Sequence, residues 1–382
     1  MIKFRYICSV YGYNYNKIIL KFIFMLFDKN KPYNNLPDLP PTIDIETKKV
    51  LKLTTQARAS IAKVDGLSYN IPNQPLILKL LTVKEAQVSS QIENIVTTTD
   101  NLYQELSDET PANINQHEKE VLRYHQAINI GFEYVEKNEV LSTSLFCKLA
   151  TTIKKVEMPI RKLPGTIIKD TYNDIVVYTP PEGETLLREK LANLEEFIHN
   201  NQDLDPLIKL ALMHYQFEAI HPFSDTNGRV GRILNILFLI QTKLLSSPII
   251  YFSKYILDNK NSYYSCLKAV TEDGNWEEWI VFMLQGLDQS AKITLELIND
   301  VRNTMDHVSN LVKERLPRIY SKELVEILFK YPYCKIDFLK EIAGRETVSK
   351  YLHSLVEAEI LTEIKKGRTI YFINNFLLNL IR

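Results

Sequence analysis

The chain has 382 residues and a mass of 44.4 kDa, more than one ordinary hydrophobic core accommodates, so two or three compact units are expected. Apolar residues make up 45% and charged residues 24%, a composition that excludes a disordered, collagenous or membrane-embedded chain. Lys and Arg number 46, as do Asp and Glu, which excludes a globally basic nucleic-acid binder or an acidic buffer and makes any charge-driven function local.

The N-terminal run 17 to 27 is apolar but interrupted by Lys21. It is too short to span a bilayer and lacks a small-residue cleavage site, so neither an anchor nor a signal peptide is expected. Residues 1 to 24 read as a loose extension ahead of Met25. The stretch 28 to 45 carries Pro32, Pro37, Pro40 and Pro41 and reads as an extended arm, because proline lacks an amide donor and restricts its predecessor. Apolar spacing of three and four predicts helices over 47 to 63 and 74 to 97, then over 115 to 136, 142 to 156, 184 to 200, 205 to 219, 227 to 242 and 276 to 313. Between them, two β-branched runs within 165 to 179 flank Tyr172-Asn173-Asp174 and predict a hairpin. Beyond 315, helices are expected at 321 to 330, 335 to 343 and 345 to 358, followed by strands at 360 to 364 and 369 to 373 around Lys365, Lys366 and Arg368. Three helices and a basic-tipped hairpin describe a winged helix. Cys8, Cys147, Cys266 and Cys334 stand far apart with no C-x-x-C, which points away from zinc and disulfides and toward a reducing cytoplasm.

The densest chemistry lies in Ile220-His221-Pro222-Phe223-Ser224-Asp225-Thr226-Asn227-Gly228-Arg229-Val230-Gly231-Arg232. Asn227 is expected to cap a helix, leaving the amides of Gly228, Arg229 and Val230 open to an anion. Arg229 and Arg232, three apart, project from one face and offer two planar forks to a polyphosphate. Asp225 supplies a hard oxygen of the kind that holds Mg²⁺ beside phosphates. A neutral His221 is suited to accept a hydroxyl proton. Singly these residues are ordinary; their joint spacing points to phosphoryl or nucleotidyl transfer.

The string resembles the Fic family signature His-x-Phe-x-Asp/Glu-Gly/Ala-Asn-Gly-Arg-x-x-Arg, departing from it only at Thr226. The resemblance extends from about Met25 to the C-terminus. It implies a mainly α fold, a Fic helical core with a β-hairpin flap plus a C-terminal winged-helix domain. It implies transfer of AMP from ATP to a protein Ser, Thr or Tyr hydroxyl, with His221 as base, Asp225 as the Mg²⁺ ligand, and Asn227, Gly228, Arg229, Gly231 and Arg232 around the phosphates. The hairpin would register the target chain by main-chain pairing, and Tyr263 and Tyr264 would lie on the adenine side.

The segment Ser89-Ser-Gln-Ile-Glu93-Asn94 resembles the family's inhibitory pattern Ser/Thr-x-x-x-Glu-Gly/Asn. On a helix from 83 to 97, Ser89 and Glu93 share a face, and Glu93 would pair with Arg232 and displace the γ-phosphate. The expected division is 1–24 extension, 25–114 arm and inhibitory helix, 115–285 catalytic core, 286–317 connecting helix and 318–382 winged helix. A protein target, the chain itself included, is expected, with no membrane and a homodimer as in relatives. The winged helix carries Lys335, Lys340, Arg345 and Lys350 among Glu341, Glu346, Glu357, Glu359 and Glu363, so DNA and protein contact are equally open. The competing readings are a DNA-binding regulator with a nucleotide-sensing Fic domain, an enzyme that removes AMP, and one that transfers another phosphate-containing group.

Overall fold

In a computed structural model, the structure describes residues 27–68, 74–107, 115–170, 174–200, 203–367 and 369–381. The N-terminal extension, the Tyr172-Asn173 tip of the hairpin and Arg368 lie outside the described residues. The elements, in chain order, begin with α1 (Lys48–Ser68), α2 (Gln74–Ile92), α3 (Thr99–Glu105), α4 (Gln116–Asn138) and α5 (Thr143–Lys154). Strands β1 (Ile168–Lys169) and β2 (Val176–Tyr178) follow, then α6 (Glu184–His199), α7 (Pro206–Ile220), α8 (Asn227–Gln241), α9 (Phe252–Asp258), α10 (Lys260–Asp273) and α11 (Trp276–Arg315).

Helix α7 is apolar almost all round and buried along its length, which puts it at the centre rather than on the surface. It packs on α8, and α8 in turn on α4 and α5. Helix α1 lies along the 40-residue α11, which runs through position 286 without interruption. Helix α2 is wedged between α4 and α9. It is shorter than the apolar spacing suggests and ends at Ile92 instead of reaching 97. There the Ile95 amide donates back to the Ser90 carbonyl at 3.0 Å and Asn94 takes a left-handed φ of 62°, a helix-terminating geometry that asparagine tolerates. Helices α3, α9 and α10 went unanticipated. Strands β1 and β2 pair antiparallel, as the hairpin reading requires.

The C-terminal unit holds α12 (Lys322–Lys330), β3 (Tyr333–Cys334), α13 (Arg345–Glu357), β4 (Thr362–Lys366), β5 (Thr369–Ile373) and α14 (Asn375–Ile381). The helix expected at 335 to 343 is instead a short 3₁₀ turn, Ile336–Leu339. The antiparallel sheet runs β3, β5, β4, with Glu363 opposite Phe372 and Cys334 opposite the same residue on the other side. This unit is fastened to α2 and α3. Lys84 Nζ donates to the Ile381 carbonyl at 2.6 Å, the Tyr333 hydroxyl to Asp100 Oδ1 at 2.7 Å, and Lys366 Nζ to Gln104 Oε1 at 3.0 Å. Among the described residues, no helix is long and apolar enough to cross a membrane.

Candidate active site

The chemistry-bearing string forms the turn between α7 and α8. His221 closes α7 in a left-handed conformation, φ 50° and ψ 60°, with its amide bonded to the Phe217 carbonyl. Thr226 opens α8 at φ 71° and ψ 4°, an unfavourable region for a β-branched residue and one that explains why a small residue suits the position. Asn227 is not the cap. It is the first helical residue, and its side chain folds back to clasp Phe223, accepting from its amide and donating to its carbonyl, both at 2.8 Å. The loop's own buried peptide would otherwise lack partners. The Val230 amide already donates to the Thr226 carbonyl at 2.9 Å, so the amides without an intrahelical partner at the start of α8 are those ahead of it, Gly228 and Arg229 among them.

Arg161, buried and distant in sequence, fixes this turn from outside. Its Nε donates to the His221 carbonyl at 2.8 Å, and its Nη2 to the carbonyls of Ile220, at 3.2 Å, and Pro181. The Tyr178 hydroxyl donates to the Ala219 carbonyl at 2.8 Å, which anchors strand β2 beside the turn. The hairpin therefore stands next to His221.

Both arginines are 2% exposed, and each is held by a different carboxylate. Arg232 donates from Nε to Ser89 Oγ at 2.8 Å, and from Nη2 to the Ser89 carbonyl and Glu93 Oε1, both at 2.9 Å. Arg229 Nη1 donates to Glu120 Oε1 at 2.5 Å. Glu93 rests over the bare Cα of Gly228. A Cβ there would stand 2.5 Å from Glu93 Oε1 and 3.0 Å from Arg232 Nη1, so the space that glycine leaves for an anion is filled by a carboxylate. Gly231 faces away from this cleft, toward Glu218, Phe217 and His214. Asn94 contributes the left-handed turn that ends α2. Lys260 Nζ donates to the Ile92 carbonyl at 2.7 Å, tying that end to α10.

Burial alone would raise the Glu93 carboxyl, but the charge and hydrogen bond of Arg232 outweigh it and hold it below the usual carboxylate range. Burial, helped by the Arg161 charge, lowers the His221 imidazole to about 4 despite the opposing pull of Glu93, so the ring is neutral at pH 7. Burial pushes Glu218 up to about 7, and its Oε1 has no hydrogen-bond partner among the described residues.

Asp225 is half exposed at the cleft rim, with Oδ1 accepting from the Thr226 amide at 2.5 Å. Among the described residues no three metal-ligating side chains gather. One exposed carboxylate fits a Mg²⁺ that arrives on phosphates and keeps its waters, not a resident structural ion. The paired tyrosines are divided. Tyr263 is 2% exposed, with its hydroxyl hydrogen-bonded to His214 Nε2 at 2.8 Å, and belongs to the core. Tyr264 is 46% exposed and presents an aromatic ring to solvent.

Glu120, Lys154, Arg161 and Lys260 were missed by sequence reasoning. No local spacing links the first three to the turn, since their partners there lie 59 to 109 residues away, and Lys260 meets the end of α2 across 168.

Three segments match models of known families. Residues 51–133 match the Fic/DOC family N-terminal model, 140–239 the Fic/DOC family, and 304–377 the C-terminal domain of SoFic-like protein adenylyltransferase. Together they cover more than half of the chain, and the turn His221 to Arg232 falls in the second. A probable protein adenylyltransferase of Aquifex aeolicus is 26% identical over 237 residues, 61% of this chain and 66% of the relative. The protein adenylyltransferase Fic of Drosophila grimshawi is 24% identical over 201 residues, 48% of this chain and 40% of the relative. The chain thus spans less than two thirds of the length of these curated relatives. The crystal structure of a Fic family protein from Desulfovibrio desulfuricans shares the fold, with a TM-score of 0.58 at 18% identity over 88% of this chain and 98% of that one. With the helical core, hairpin and turn in the same arrangement that the signature implies, the chain belongs to the Fic/DOC family.

Proposed function

We propose that this chain transfers AMP from ATP to a Ser, Thr or Tyr hydroxyl of a protein, and that Glu93 restrains the reaction. The observation that carries the reading is the Glu93 carboxylate in the Arg232 fork, lying over Gly228 where a phosphate would lie. A fork built to grip an anion, with an internal anion already in it, describes a binding site under competition. The names of the curated relatives support the same activity.

In the reaction, a target hydroxyl delivered along the hairpin loses its proton to neutral His221. Its oxygen bonds to the α-phosphorus of ATP, and the bond from that phosphorus to the bridging oxygen of pyrophosphate breaks. Arg229, Arg232 and the open amides of Gly228 and Arg229 hold the β- and γ-phosphates, and the Asn227 clasp keeps the turn in shape. Mg²⁺ bound at Asp225 would neutralise charge on the departing pyrophosphate. Tyr264 offers its face to adenine. Ser89 keeps Arg232 oriented whether or not Glu93 is engaged.

We assign residues 25–114 to the arm and restraint, 115–285 to the catalytic core, 286–317 to the connecting helix, the greater part of α11, and 318–382 to the winged-helix unit, with 1–24 as an extension. The free thiols of Cys147, Cys266 and Cys334 support a reducing cytoplasm. In the C-terminal unit, Lys366 is engaged by Gln104, and Arg345 lies 3.4 Å from Asp337, which favours contact within the chain over DNA binding. A homodimer is expected and is tested by sedimentation. The functional test is incubation with α-labelled ATP and Mg²⁺, followed by mass spectrometry. Glu93→Gly should gain label on a hydroxyl side chain and Glu93→Gly/His221→Ala should lose it; equal labelling of these two variants overturns the proposal.

A further inference from the structure

Four charged side chains close a ring at the mouth of the phosphate site. Arg229 Nη1 lies 2.5 Å from Glu120 Oε1, and its Nη2 is 3.6 Å from Asp225 Oδ1. Lys154 Nζ lies 2.7 Å from Asp225 Oδ2 and 3.4 Å from Glu120 Oε1. The charges alternate in sign and cancel. The ring has a buried half and an open half. The Arg229 and Glu120 side chains are 2% and 9% exposed, whereas those of Lys154 and Asp225 are 27% and 52% exposed. Parting the buried pair would strand a desolvated charge. The open pair can exchange partners at little cost, because water and ions reach it.

The two oxygens of Asp225 are not equivalent. Oδ1 accepts from the Thr226 amide at 2.5 Å and faces Arg229, so it is committed to holding the turn. Oδ2 is the oxygen not engaged by the turn, and the Lys154 ammonium donates to it at 2.7 Å. Lys154 is the last residue of α5 and follows Ile153, which is buried. That packing and the favourable field at a helix C-terminus both hold a cation in place there. Magnesium takes one or two carboxylate oxygens together with phosphates and water, and on this carboxylate the oxygen it would take is the one Lys154 occupies.

We infer that Lys154 is a positioning residue whose ammonium stands on Asp225 in the place of a divalent cation, so that the metal reaches Asp225 only by displacing it. The inference rests on the metal role proposed for Asp225. In the resting chain Lys154 keeps the site neutral and the aspartate oriented, and it makes divalent-cation binding weak until phosphates arrive to share the ion.

The test is Mn²⁺ binding to the full chain without nucleotide, read from the electron paramagnetic resonance of the free ion. Lys154→Met keeps stem length and helix propensity while removing the charge. It is expected to tighten Mn²⁺ binding by about 2- to 5-fold, the range an exposed ion pair supplies, with an unchanged melting temperature. Lys154→Arg should bind as wild type does. Asp225→Asn should weaken binding and, combined with Lys154→Met, should abolish the gain. Unchanged or weaker binding by Lys154→Met overturns the inference, as does a gain that persists in the double variant. If Asp225→Asn alone leaves Mn²⁺ affinity unchanged, the metal role of Asp225 fails and the inference with it. Loss of binding in Asp225→Asn without a gain in Lys154→Met defeats only the displacement.

Discussion

Removing Glu93 separates the restraint from the catalytic machinery. The Arg232 side chain is 1% exposed and that of Glu93 is 35% exposed. Deleting one partner of a fully buried ion pair costs about 3–5 kcal/mol, whereas exposed pairs contribute about 0–1 kcal/mol. A pair with one buried and one partly exposed end falls between, near 2 kcal/mol, or about 30-fold in an equilibrium. Glu93→Gly should therefore lower the unfolding free energy of the ATP-free protein by about 2 kcal/mol. It should also raise AMP incorporation about 30-fold, because the phosphates no longer compete with the carboxylate for Arg232. Glu93→Gln, which keeps the reach and hydrogen-bonding capacity without the charge, should fall between. The assays are urea denaturation with and without MgATP and incorporation of label from α-labelled ATP. Equal incorporation by wild type and Glu93→Gly would refute the restraint. Raised incorporation with unchanged stability would refute the ion-pair arithmetic.

The neutral His221 makes a statement about pH. Its folded value, about 4, lies below the ordinary 6.5, so the base is ready above about pH 4–5, and the kcat/KM of Glu93→Gly should stay level from pH 7.5 down to 5.5; half-activity near 6.5 would contradict this. The Glu93 carboxyl is lowered on folding, so the stability that the pair contributes is complete above its unfolded value of 4.5 and disappears as pH falls through the lower folded value, which acid titration of wild type against Glu93→Gln will show. Thr226→Gly relieves a left-handed β-branched residue and should raise stability by about 0.5–1 kcal/mol after glycine's own entropy cost; a lower denaturation midpoint would contradict the strain. Tyr263→Phe removes the hydrogen bond to His214 and should cost about 1 kcal/mol of stability, whereas Tyr264→Ala should leave stability unchanged and weaken ATP binding in calorimetry. Lys84→Met, which breaks the tie from α2 to Ile381, should speed amide hydrogen exchange across 85 to 93; unchanged protection would show that the C-terminal unit does not steady α2.

Much of the architecture was legible because it is local. The three- and four-residue apolar spacing of α1, α7, α8 and α11 reports burial of one face or of the whole helix, and the hairpin announced itself through β-branched runs. Helix ends were less legible. Helix α2 stops at Ile92 because Asn94 turns left-handed and the Ile95 amide finds Ser90, a choice that apolar spacing through 97 does not reveal. The 3₁₀ turn at Ile336–Leu339 likewise replaced an expected helix. Asn227 had the right chemistry for a cap and used it on Phe223 instead.

By itself the amino-acid order determined which groups exist and how neighbours on one turn share a face: an imidazole, a carboxylate and two guanidinium groups within twelve residues, and a serine and glutamate one helical turn apart. Those follow from backbone geometry that acts over a few residues. Tertiary structure decided which charges neutralise which, and of these pairings only Glu93 with Arg232 was expected beforehand, through the family resemblance and not through spacing. Glu93 meets Arg232 across 139 residues and Glu120 meets Arg229 across 109. Lys154 reaches Asp225 across 71. Such pairings arise because burying a charge is tolerable only beside its counter-charge, and the partner is chosen by how helices pack rather than by any spacing along the chain.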